Sequence, residues 1–160
     1  YKRQKRLTKQ GFSSVGAIGD FDESLTVTVM RPYKAKPPLY EALVISWNND
    51  YIFYAPHGFG LHPSQMEAFR GKTCRLLITT FTDVRLPFFL GGVINPGADA
   101  ALKLAQQLGA EYVTNTHDDA KPGKGLVLKL AKVEYPNWDM IVFSPPQKRL
   151  VAENYDWMEI

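Results

Sequence analysis

Cysteine is almost missing from this sequence. One thiol, Cys74, occurs in 160 residues, so neither a disulfide framework nor a cysteine-rich metal site forms within the chain, and a reducing compartment is mildly favoured. No apolar run approaches the roughly 18 to 20 residues that span a bilayer, and the N-terminus has neither the basic lead nor the apolar stretch of a secretory signal. A strong charge imbalance is lacking as well: 19 Lys and Arg against 16 Asp and Glu leave a formal net charge of +3. Apart from Lys2, Arg3, Lys5 and Arg6 the basic residues are scattered, which argues against a polyanion-binding face and against nucleic acid as partner. No internal repeat or low-complexity tract interrupts the chain. With 45% hydrophobic and 22% charged residues, the composition is that of one soluble globular domain or a large piece of one, big enough to bury a core. The sequence opens at Tyr1, without an initiator Met, in what reads as the last turns of a helix. It is therefore taken as a fragment, with a processed mature protein as the alternative.

Along the chain, Tyr1 to Gln10 are helix formers ending at Gly11. Ser24 to Met30 alternates polar and apolar residues in the manner of a half-buried strand, and the three prolines of Arg31 to Pro38 mark a loop. Glu41 to Trp47 and Tyr51 to Ala55 read as a hairpin around Asn48-Asn49-Asp50, because Asn and Asp tolerate the positive φ of a tight turn. Beyond it strands and helices alternate. Pro63 to Phe69 is a short helix, Cys74 to Thr80 a buried strand, and Asn95 to Leu108 a longer helix, with Asn95 as cap, Pro96 in the first turn and Gly109 as stop. Glu111 to Asn115 is a strand, Gly125 to Lys132 a helix, and Met140 to Phe143 and Arg149 to Ala152 edge strands.

If the strands beginning near Tyr51, Cys74 and Glu111 are parallel neighbours joined by right-handed crossovers, their C-terminal ends share one edge of the sheet. Pro56-His57-Gly58 with His62, Thr82-Asp83, and Thr116-His117-Asp118-Asp119 then converge there. Imidazoles and carboxylates delivered by separate loops suit a hydrolytic metal centre, which needs fixed N and O ligands and one open position for water. Each residue also has a plain structural reading. His57 sits where a turn histidine would, His62 can position the start of a helix, Asp83 can cap a loop, and His117 to Gly125 can be a solvated loop. Lys121 and Lys124 are candidate substrate or loop contacts, but Gly123-Lys124-Gly125 lacks the spacing and the hydroxyl residue of a phosphate-binding loop.

Taken together, Tyr51-Ile-Phe-Tyr-Ala-Pro-His57-Gly58, Leu76-Leu-Ile-Thr79, Asn95-Pro-Gly97, Thr116-His117-Asp118-Asp119 and Lys124-Gly125 resemble the second half of the metallo-β-lactamase superfamily, closest to a branch of plants, algae and cyanobacteria. The likeness runs from about Gly11 to about Val133, with residues 134–160 as an extension of the same single domain. It implies an α+β fold, an incomplete αββα sandwich, whose first metal motif, H-x-H-x-D-H, is not in this sequence. On the resemblance, His57 takes the place of a metal-bridging Asp, His117 that of the last metal-binding His, and Asp118 that of an outer carboxylate orienting His117. The loop Arg31 to Pro38 carries no His where relatives with a full site supply one. The resemblance therefore implies one ion, zinc or else iron or manganese, or none. The function it implies is metal-activated water attacking an ester, amide or phosphate bond of a small molecule, with no activity in this fragment alone. The alternative is a degenerate member serving as an assembly subunit of a plastid or photosynthetic complex, located in chloroplast or cytoplasm. For such a subunit Phe88, Phe89 and Leu90 are the candidate protein contact, although the whole apolar loop from Leu86 to Ile94 is first expected in the core or in a pocket wall.

Overall fold

The computed structural model describes residues 12–14, 25–33, 40–118, 125 and 129–151, and structural statements below concern these. The helix expected over 1–10, Lys121, Lys124 and residues 126–128 of the helix expected over 125–132 lie outside them. In chain order the elements are β1 (Phe12–Ser14), β2 (Thr26–Met30), β3 (Ala42–Trp47), β4 (Asp50–Ala55), α1 (Pro63–Met66), β5 (Thr73–Thr79), β6 (Asp83–Arg85), β7 (Val93–Pro96), α2 (Gly97–Leu108), β8 (Tyr112–Asn115), β9 (Lys132–Glu134) and β10 (Lys148–Arg149).

Two-residue periodicity dictates the first layer. Ala42, Val44 and Ser46 of β3 and Tyr51, Phe53 and Ala55 of β4 turn inward and are buried, while the residues between them are more exposed, as the pleat requires. Asn48 takes the left-handed backbone, φ 49°, that closes the hairpin, with Trp47 opposite Asp50. β1 to β4 pair antiparallel. From β4 onward the sheet is parallel, β4 beside β5, β5 beside β8 and β8 beside β10, so its order is β1-β2-β3-β4-β5-β8-β10. A second, antiparallel sheet of order β7-β6-β9 lies in the same body. Helix α2 packs against β5, β6 and β7, burying Ala101, Leu104, Ala105 and Leu108 at three- and four-residue spacing, and ends at Gly109 with φ 60°. Sheets with few helices make the mixed α+β class expected from the sequence.

The core centres on an aromatic group. Phe69 lies 4.8 Å from Tyr51 and 5.9 Å from Phe53, and Phe53 meets Phe59 edge-on at 5.5 Å. Each fully buried ring of this kind contributes about 2 to 3 kcal/mol from area alone. Arg75 ties the starts of three strands together, reaching Glu111 at 2.6 Å and Asp50 at 3.8 Å.

Several expectations are corrected. Helix α2 begins at Gly97, two residues late, because Asn95 and Pro96 extend β7 opposite Val84 and Asp83 and Pro96 takes the N-cap position. Lys132 opens β9, where it pairs with Arg85, instead of ending a helix. Of the stretch expected as a strand at 140–143, Met140 ends a 3-10 turn, Trp138–Met140, capped by the Asn137 side chain, and of the strand expected at 149–152 only Arg149 is in a strand among the described residues, with Lys148 in β10. The apolar loop at 86–94 splits. Ile94 lines a pocket, but Phe88 and Phe89 are 96% and 79% exposed, because backbone bonds from Leu86 to Gly92 and from Gly92 to Pro87 close the loop on itself and push its tip outward.

Candidate functional site

Parallel pairing builds the site. Ala55 stands opposite Thr79, and Thr79 opposite Asn115, so the residues that follow β4, β5 and β8 leave from one edge. His57 and His117 each come two residues after their strand, with the Thr80–Thr82 turn between them. The Thr79 hydroxyl donates to the Ala55 carbonyl at 2.9 Å and the Thr116 amide to the Thr79 carbonyl at 3.0 Å, which continues the ladder beyond the strands.

Adjacent strands lie about 4.8 Å apart, which separates β4 from β8 by roughly 10 Å. Yet the His57 and His117 ring centroids are 5.5 Å apart with planes 23° from parallel. The two rings therefore lean toward each other over the end of β5. Backbone conformation aims them: His117 has φ 60°, and Gly58, φ 74°, closes the turn through its amide to the Ala55 carbonyl at 3.0 Å. A Cβ on Gly58 would stand 2.7 Å from Pro96 Cγ, so only glycine lets the His57 turn lie so close to β7.

His57 is half-buried, and its Nδ1 lies 2.9 Å from the Asn95 side-chain oxygen. The Asn95 amide nitrogen reaches the Thr80 hydroxyl at 3.4 Å, and that hydroxyl donates to Asp118 Oδ1 at 2.8 Å. Asp118 also accepts from the amides of Phe81, at 2.9 and 3.1 Å, and Thr82, at 2.8 Å. Its oxygens thus serve the turn after β5, whereas the expected role was to orient His117. Phe81 in that turn packs on Trp138 at 5.0 Å and Phe143 at 6.1 Å, and Arg149 covers the Trp138 ring at 3.6 Å, so the C-terminal segment backs the turn. Asn95 and Thr80 escaped the sequence reading because each resembled a boundary residue, a helix cap in one case and a strand end in the other.

The remaining candidates are placed differently. His62 caps α1: its Nδ1 accepts from the Ser64 amide at 3.3 Å, Gln65 returns a bond to the His62 amide, and its ring stacks on Tyr33 at 3.7 Å. Asp83 is engaged by Arg85, Nε to Oδ1 and Nη2 to Oδ2 both at 2.8 Å, and the carboxylate raises the Arg85 pKa. Cys74 is buried beside Tyr51; burial pushes the thiol up to about 12, against the lowering effect of its bonds to Tyr51 and the Leu76 backbone. A thiol so held is not a nucleophile at neutral pH.

Two imidazoles ligating one ion at about 2 Å through nitrogen have centroids no more than roughly 6 Å apart, and the observed separation satisfies this. Among the described residues no group of three or more His, Cys, Asp or Glu side chains gathers at one point. A catalytic zinc takes three protein ligands, so these residues fit such an ion as two donors of a larger set. Beside His57 opens a cavity of about 410 Å³ whose walls include Tyr33, Tyr40, Phe59, Leu61, Ile94 and Pro96, with no Lys, Arg, Asp or Glu among the described residues of its lining.

No protein-family model matches the sequence and no curated protein does. Among solved structures, the chain is similar to human tRNase Z, short form, with a TM-score of 0.48 at 13% identity over 69% of this chain and 40% of that one. It is also similar to Igni18, described as a novel metallo hydrolase, from the hyperthermophilic archaeon Ignicoccus hospitalis, with a TM-score of 0.42 at 17% identity over 73% of this chain and 50% of that one. The chain thus spans half or less of the length of these two structures.

Proposed function

We propose that the chain carries part of the active site of a metal-dependent hydrolase, with His57 and His117 as two ligands of one ion. The observation that supports this is the approach of the two imidazoles to 5.5 Å across an intervening strand. Zinc or iron suits such nitrogen donors. When bound, the ion lowers the pKa of its water and polarises the substrate oxygen. The chain's own residues do the rest. The turns at Gly58 and His117 hold the rings in place, and Asn95 fixes the orientation of the His57 ring. The reading requires at least one further ligand from outside the described residues.

The cavity beside His57 favours a small substrate with an uncharged, apolar group. Among the described residues its walls offer aromatic and aliphatic surface and no Lys or Arg, which suits an apolar group beside an ester or amide bond. Metal analysis of the full-length gene product, together with turnover of phenyl acetate and phenyl phosphate, tests the reading. Near-stoichiometric metal and hydrolysis of the acetate are expected; metal-free protein that cleaves neither ester contradicts it.

A second reading, that of a subunit whose chemistry is lost, is favoured by the outward Phe88 and Phe89. It requires those rings to be covered by a protein partner, and it predicts no hydrolysis in the same assay.

A further inference from the structure

The polar side chains around His57 leave one direction in which their hydrogens can run. Asp118 Oδ1 receives the amides of Phe81 and Thr82, and since a backbone amide only donates, that oxygen is an acceptor. The Thr80 hydroxyl lies 2.8 Å from the same oxygen and gives it its single hydrogen. Toward Asn95 the hydroxyl therefore has only lone pairs to offer, and the amide group facing it must be the NH₂, 3.4 Å away. The Asn95 carbonyl oxygen is then the atom 2.9 Å from His57 Nδ1, and that nitrogen must carry the proton. The reversed Asn95 amide would set its oxygen against a hydroxyl with no hydrogen left to donate, and its NH₂ would force Nδ1 to be the acceptor.

We propose that Asp118, Thr80 and Asn95 form a directional relay that fixes His57 as the Nδ1–H tautomer and keeps Nε2 as its lone-pair nitrogen. The relay gives Asp118 work on the opposite histidine from the one beside it in sequence: bonded to the turn after β5, it acts through two side chains on the turn after β4. All three are positioning residues. That the free Nε2 serves as a ligand rests on the hydrolase reading; the tautomer itself does not. His62 provides an internal contrast, because its Nδ1 faces the Ser64 hydroxyl at 2.8 Å and the Ser64 amide at 3.3 Å, and a hydroxyl that can donate or accept imposes no one tautomer.

Long-range ¹H–¹⁵N spectra of the metal-free, histidine-labelled chain, at a pH where imidazole is neutral, test the relay. His57 is expected as pure Nδ1–H. Thr80→Ser should leave the His57 pattern unchanged, whereas Thr80→Val, which removes the hydroxyl without touching the ring or its Asn95 partner, should release it to a mixture of tautomers. A wild-type His57 protonated on Nε2 overturns the proposal, a result that needs no variant to fold. So does a folded Thr80→Val protein, judged by its backbone spectrum, whose His57 stays pure Nδ1–H. An intact relay in full-length protein that binds no metal and hydrolyses nothing contradicts the hydrolase reading alone.

Discussion

At the scale of single residues, the site depends on a few backbone angles that few residue types accept. Gly58 combines φ 74° with a Cα that leaves no room for a methyl beside Pro96. Gly58→Ala should therefore cost about 2 to 4 kcal/mol, the sum of a left-handed penalty and an overpacked contact, read as a lowered urea midpoint at unchanged slope. A loss within a few tenths of a kcal/mol would mean that β7 does not press on this turn. His117 pays a smaller version of the same conformational penalty at φ 60°, and a non-glycine residue held there commonly marks a functional turn. The two candidate ligands were legible in the sequence because each follows an apolar strand and begins a polar cluster. Asn95 was not: its capping propensity is real, but pairing with Val84 and the bond to His57 outweigh the roughly 1 kcal/mol that a cap contributes.

At the scale of elements, the turn after β5 is the hub. Asp118 reaches it from β8, Thr80 passes its hold to β7 through Asn95, and Trp138 and Phe143 press on Phe81 from the C-terminal side. Asp118→Ala should destabilise the fold by roughly 2 to 4 kcal/mol, since it leaves two inward amides and a hydroxyl without their acceptor, and amide hydrogen exchange at residues 80–82 should accelerate more than at the β3–β4 hairpin. Equal acceleration in both regions would show a uniform loss and deny the turn its special role. Periodicity made β2 to β5 and most of α2 readable, since each is long enough for its pattern to show. The second sheet was not readable: β6, β7 and β9 have three or four residues each, too short for alternation to show. They exist because they pair with one another and because α2 lies against β6 and β7. The exposed tip at Phe88 was missed for a related reason: hydrophobicity suggests burial, but the loop's own backbone bonds decide its direction.

At the scale of the whole molecule, the switch from antiparallel to parallel pairing at β4 determines where chemistry is placed. It sends the ends of β4, β5 and β8 to one edge, and α2 closes the fold against β5 of the large sheet and β6 and β7 of the small one. No helix among the described residues is long and apolar enough to cross a membrane. In the proposed hydrolase one ion is shared by two histidines sixty positions apart. Titrating the metal-free, histidine-labelled full-length protein with zinc while following all three imidazoles tests it most directly: His57 and His117 should shift together with one midpoint, His62 should stay still, and His57→Ala should abolish the shift at His117. Separate midpoints for His57 and His117, or an unchanged His117 response in His57→Ala, would contradict a shared ion.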